Sequence, residues 1–222
     1  MGMRAFILRI TPHELTDFFE IAKPAPYENA KLPPDVSEED FDARLRQTLS
    51  LVLAHSERGN SPERIDRIMR NPEYRQKQIA RYYGDQGNKK AVKAFLSERA
   101  GRALPLEKTF HALHWLITGH VWGGEPPLAN AVCGGTEYGP DIGYGKVRYL
   151  EPSEVLDVAS ALAVLDTQTL LDRWDAKAMR KDRIYAVADK DGQRECALRY
   201  PQLQQYFTAA AEGQDAVLSY IL

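Results

Sequence analysis

The sequence predicts an α+β protein: one compact, helix-rich domain over residues 1–222 with a small mixed or antiparallel sheet. Three observations predict it. Helix-opening signals recur along the whole chain, while strand-like runs are few and short. The two kinds of segment follow no regular alternation, which argues against a parallel βαβ array. An apolar fraction of 44% across 222 residues is enough for a proper core.

Residues 3–10, MRAFILRI, read as the first strand. Thr11-Pro12-His13-Glu14 then carries a capping residue, a proline suited to the first helical turn and a glutamate that can close a capping box. That helix runs to about Ile21. Four prolines between 22 and 36 make a loop. Ser37 and the acids Glu38, Glu39 and Asp40 open a second helix, with Phe41, Leu45 and Leu49 on its buried face. Ser61-Pro62 and Asn71-Pro72 each open a short helix, and another lies near 88–99. Leu106, Phe110, Leu113 and Ile117 form one apolar stripe, which predicts a helix over 106–118. Residues 134–145 read as a glycine-rich loop, and 146–150 as a strand. Helices follow over 152–165, 167–180 and 200–212, with 184–187 extended and 189–193 a turn. Residues 216–222 read as a closing strand or a helix end.

Composition excludes several classes of function. A net charge of −2 does not suit wholesale nucleic-acid binding. No run approaches the length a membrane helix needs. Cys133 and Cys196 stand far apart with no export signal before them, so the expectation is reduced thiols in the cytoplasm. Residues 56–100 differ from the rest. Eleven Lys and Arg against six acids make this segment about +5, leaving about −7 for the remainder. Its Arg and Tyr side chains could contact phosphates, but the interspersed acids favour a solvated helical surface.

Candidate chemistry gathers in two places. His111, His114, Trp115 and Thr118 recur at helical spacing on an otherwise apolar helix, so both histidines are expected inside the fold or at a cavity wall. His114 is the candidate acid–base group and His111 its neighbour, since a histidine near neutral pH suits such work. Residues 119–145 hold eight of the fifteen glycines. Gly134, Gly135, Gly143 and Gly145, with Trp115, Asp141, Tyr144 and Arg148, are the ligand-binding candidates. Arg148 would neutralise an anionic group. The glycines match neither the dinucleotide fingerprint nor the P-loop, and backbone geometry alone could explain them. Cys133 is a weaker candidate nucleophile. No metal site or cofactor is assigned: His111 and His114 have a spacing that could share a metal, but nothing fixes His120 or Asp141 as further ligands.

Three stretches, MGMRAFILRIT, LEKTFHALHWLITG at 106–119 and GGTEYGPDIGYGKVRYLEPSEV at 134–155, resemble the YfbM-like family of small bacterial proteins, a domain family of unknown function. DAKAMRKDRIY at 175–185 and YFTAAAEGQDAVLSYI at 206–221 also fit. The resemblance covers about 1–55 and 104–222 and implies a single α+β domain. It transfers no catalytic residue. Against it, 56–103 reads as a longer, basic helical insertion. Glu151 stands where the family has a helix-opening threonine, so capping there must come from elsewhere. Members of such families can sit beside secreted antibacterial toxins as immunity proteins. The leading expectation is therefore a binding protein that grips a partner protein, with toxin neutralisation as its sharpest form. The alternative is a small-molecule-binding protein or enzyme with its site between the His111/His114 helix and the loop 134–145, taking a small anionic ligand. Nucleic acid and membrane are not expected partners.

Overall fold

The structure is a computed structural model that describes residues 2–23, 31–32, 35–54, 61–80, 82, 86–185 and 190–222. Its contacts divide the chain into two compact units, one of Met1–Lys23 with Lys89–Leu222, the other of Pro24–Asn88. The basic segment set apart at 56–103 straddles that boundary.

The first unit is built on a five-stranded antiparallel sheet. Its strands are β1 (Ala5–Ile10), β2 (Ala103–Glu107), β3 (Thr136–Asp141), β4 (Lys146–Leu150) and β5 (Ala216–Ile221), in the order β2-β1-β5-β4-β3. β1 lies between β2 and β5 and alternates its side chains. Ala5 and Ile7 enter one core, while Leu8 and Ile10 enter another on the opposite face. The first core takes α6 (Phe110–Thr118), α7 (Pro152–Ala163) and α10 (Lys190–Glu212), through residues such as Leu113, Val158 and Phe207. The second takes α1 (Pro12–Ala22) and α5 (Gln86–Glu98), through Leu15, Phe18, Val92 and Phe95. Residues 89–103 thus supply core and an edge strand of the main body. β2 tolerates Pro105 because an edge strand need not use every backbone N–H.

Local rules explain most element boundaries. Thr11 and Glu14 close the expected capping box on α1. At α7, Glu154 accepts the Glu151 N–H at 2.8 Å, so a carboxylate of the first turn ties down the helix start. α6 ends at Gly119, whose φ of +75° allows the N–H to return to the Trp115 carbonyl at 2.7 Å. Arg173 donates to the Leu116 and Ile117 carbonyls and satisfies the same helix end.

Several expectations are corrected. Leu106 is in β2, and α6 starts only at Phe110. Residues 136–141, expected as loop, are β3, because Thr136, Glu137 and Tyr138 pair with Tyr149, Arg148 and Val147. The helix expected over 167–180 is two, α8 (Thr167–Leu171) and α9 (Ala176–Lys181), each with its own aspartate cap, Asp166 and Asp175. The expected turn at 189–193 is helix from Lys190 onward. Ile184 and Tyr185 are not extended strand, and the rest of that expected segment lies outside the described residues.

The second unit holds α2 (Glu38–Ala54), α3 (Pro62–Met69) and α4 (Pro72–Ile79) around a small core of Phe41, Leu45, Leu49, Ile65 and Ile79. Ser61 and Asn71 cap α3 and α4 as expected. Arg46 pairs with Asp66, Arg75 with Asp42 and Glu38, and Lys77 with Glu73. These cations are matched by acids of the same unit, which weakens the case for phosphate contacts there.

Candidate functional site

α6 is buried on nearly every side, and both histidines lie inside, His111 at 3% exposure and His114 at 0%. Their environments differ. The Nδ1 of His111 accepts the Tyr185 N–H at 2.9 Å, and its Nε2 faces the Val121 carbonyl at 2.9 Å. The first contact requires Nδ1 to be bare and the second requires Nε2 to carry the proton, so one neutral tautomer is fixed. Burial lowers the pKa of His111, and the Val121 carbonyl opposes that shift. The ring also stacks on Trp122, with centroids 4.2 Å apart and planes at 24°. His111 is therefore spent on joining α6 to the 119–123 loop and to Tyr185.

His114 has no such partners. Both ring nitrogens are buried without a hydrogen bond among the described residues. Burial pushes its pKa down to about 4, the Gly123 backbone favours the charged form, and the charges of His111 and His120 oppose it. Gly123 approaches the ring without meeting it in hydrogen-bond geometry. A buried polar group left unpaired is costly, and in a native fold it calls for an explanation.

The other expected residues are placed as follows. Trp115 donates its indole N–H to Asp182 at 3.1 Å. Thr118 donates to the His114 carbonyl at 2.8 Å and accepts the His120 N–H at 3.0 Å. Gly134 and Gly135 follow the 3₁₀ turn Leu128–Ala131, and the Gly135 N–H bonds the Asn130 side chain at 3.0 Å. Asp141, Gly143, Tyr144 and Gly145 form the tip of the β3–β4 hairpin, where Asp141 accepts the N–H groups of Gly143 and Gly145 at 2.9 and 3.4 Å. Arg148 pairs across the hairpin with Glu137 at 2.5 Å. Ile142 at the tip belongs to the core of α1 and α5, whereas the α6 residues flanking His111 and His114, such as Phe110, Leu113 and Leu116, belong to the other core. The structure thus does not bring the hairpin tip and the histidines into one pocket. The glycine density serves hairpin geometry, and the anion-neutralising charge of Arg148 is already met.

Cys133 packs against the first core, and burial pushes its thiol up to about 12. Cys196 is fully buried and its thiol is pushed up to about 12 by the same cause. Neither is primed as a thiolate nucleophile. Iodoacetamide at pH 8 is expected to leave both unlabelled in the folded protein and to label both after denaturation. Mass spectrometry checks this, and fast native labelling of Cys133 would restore it as a nucleophile. Among the described residues no group of three or more His, Cys, Asp or Glu could hold a metal ion, and no helix is long and apolar enough to cross a membrane.

Sequence reasoning missed Trp122. It is 53% exposed although its ring lies flat on His111. Four residues further on, Pro126 and Pro127 face Asp157 and Ser160 of α7 across a cavity of about 640 Å³. The signal available was an aromatic residue set between turn residues in HVWGGEPP, a stretch passed over for its glycines.

The α+β body and its antiparallel sheet define the protein's class by fold. The family model "Domain of unknown function (DUF1877)" matches residues 57–220, most of the chain, and the chain belongs to that family. The match includes most of 56–103, the segment that sequence reading set apart. Among solved structures the chain is similar to the crystal structure of YfbM from Escherichia coli, described as a protein of unknown function. That likeness has 13% identity, 99% coverage of each chain and a TM-score of 0.55, and it shows a shared fold. Comparison with curated proteins finds no match.

Proposed function

We propose that the protein is a binding protein that grips a partner protein, with Trp122 as the anchor of the gripping surface. The observation that carries this is the pairing of exposure with bracing: Trp122 faces solvent, yet His111 holds its ring in place. A preset aromatic side chain loses little freedom on binding, and tryptophans supply much of the energy in protein interfaces. The cavity that begins four residues further along the chain adds apolar wall from Pro126, Pro127 and Ala161, and carboxylates from Glu154 and Asp157, to meet a basic segment of the partner. Toxin neutralisation is the sharpest form of this reading. The test is calorimetric titration of the purified products of neighbouring genes against wild type and Trp122→Ala. One product is expected to bind, and the variant is expected to lose about 2 kcal/mol, roughly thirtyfold in Kd. Binding that is equal in the two proteins, or no binding by any product, would overturn the proposal.

A second reading, a small-molecule site at α6 with His114 as acid–base group, is favoured by one observation, the unpartnered ring. Thermal unfolding with nucleotides, ADP-ribose, NAD and divalent metals tests it. The expected mark is a shift in wild type of a few degrees that His114→Leu abolishes.

A further inference from the structure

A separate cavity of about 400 Å³ lies where β1 hands over to α1, lined by Arg9, Thr11, Arg102, Tyr206 and Asp215. We infer that it is a binding site for a small oxyanion, a carboxylate or a phosphate, held by the guanidinium groups of Arg9 and Arg102. Nothing in the partner-binding proposal depends on it.

The arginines arrive from distant parts of the chain and are fixed before any ligand comes. Arg9 spends Nε and Nη2 on one oxygen of Asp215, at 3.0 and 2.7 Å, and among the described residues its Nη1 has no hydrogen-bond acceptor. Arg102 spends Nη1 and Nη2 on the two oxygens of Glu14, at 3.2 and 2.6 Å, and among the described residues its Nε has no acceptor. The Tyr206 hydroxyl accepts the Arg9 backbone N–H at 2.6 Å and donates to the Arg102 carbonyl at 2.7 Å, so it ties the two backbones together. Arg99 also pairs with Glu14, at 3.0 Å. Arg99 pairs with Glu98 as well, at 3.4 Å, so three guanidiniums stand against three carboxylates, and the unspent N–H donors rather than a net charge supply the local positive field. Thr11 on the wall is the N-cap of an eleven-residue helix, whose positive end adds to the same field.

The turn at the other side is shaped to deliver Asp215. A Cβ placed on Gly213 would stand 3.1 Å from the Asp215 carboxylate and 3.2 Å from the Arg9 Nη2, so a side chain there would crowd the ion pair. Gln214 takes a φ of +54° to turn the chain onto β5. An ion pair alone would tie these elements together as a filled contact. Here it sits on the wall of a cavity of ligand size, with N–H donors to spare on both arginines. Arginine is suited to this because its planar fork can hold one anion on one edge and present its remaining donors to another. Except for Arg102, the lining residues fall in the two terminal segments, MGMRAFILRIT and 206–221.

The test is isothermal titration of the whole protein with inorganic phosphate and, separately, with succinate, at ionic strength held constant by sodium chloride. At least one anion is expected to bind saturably, and the arm that binds identifies the source chemistry. Arg102→Gln and Arg9→Gln are each expected to weaken that binding about tenfold or more. Circular dichroism checks the fold of both. If Arg9→Gln does not fold, Arg102→Gln decides alone, because Arg102 lies half exposed outside the sheet pairing. Absence of saturable binding by both anions, or binding undiminished in the folded arginine variants, overturns the inference.

Discussion

His114→Leu is expected to make the protein more stable at neutral pH and much less sensitive to acid. Leucine nearly matches the ring's volume and has no polar atom to leave unpaired, so the exchange is expected to stabilise by about 1–2 kcal/mol. For a chain of this size that is a rise in Tm of roughly 3–6 °C. The acid effect is larger. The folded-state pKa of His114 is about 4, below the ordinary 6.5, so between these values the unfolded chain takes up a proton that the folded chain does not. Stability therefore falls as pH drops from about 7 to about 4, by about 3 kcal/mol for this one ring, and levels off below. His111, also lowered, adds in the same direction. Urea unfolding of both proteins at pH 7 and pH 4.5 measures this. A variant that is less stable than wild type at pH 7 would mean the ring makes an interaction the fold needs. Retention of a costly residue in a buried helix is the usual mark of a function that outweighs stability, and it keeps the α6 reading in view.

Gly139→Val is expected to destabilise by about 3 kcal/mol, and Gly145→Ala by only about 1 kcal/mol, although both are glycines of one hairpin with positive φ. At Gly139 the backbone has φ of +76°, and an added Cβ would stand 2.8 Å from the Ala22 Cβ on α1. A β-branched side chain there meets both a poor backbone well and a packed helix. At Gly145, with φ of +117°, the added atom would meet open space, so only the backbone term is lost. The difference in urea midpoint at unchanged m-value separates the two causes. Equal midpoints would remove close packing as the reason for Gly139.

The legible parts of this fold were those decided within a few residues. Thr11 to Glu14, Ser61 and Asn71 announced their helices because a cap needs only its own turn. The edge strands were not legible. Leu106 sits four residues before Phe110 and extends a helical stripe, but Ala5, Phe6, Ile7 and Leu8 claim the stretch around it for β2. In β3, Gly139 and Pro140 read as loop; they form an unpaired irregularity, and the pairing of Thr136, Glu137, Tyr138 and Asp141 with β4 carries the strand across it. The site failed for a similar reason. That both histidines would be buried followed from the stripe. That one ring would be bonded at both nitrogens, and the other at neither among the described residues, depends on partners such as Tyr185, 74 residues away. The Arg9–Asp215 pair spans 206 residues and leaves no local trace.

The sheet order also carries a consequence for how the molecule is made. β5 is the central strand, and of the five strands of this sheet it comes last in chain order. Without it β1 keeps only β2, β4 keeps only β3, and both faces of the sheet lack their middle. The two flanking strand pairs must wait as separate pieces, with apolar surface uncovered, until residues 216–221 arrive to join them. Such a topology closes its longest loop last, so it is expected to fold late, slowly and in one step, and to rely on chaperones during synthesis more than a chain whose first strand finds its neighbours early.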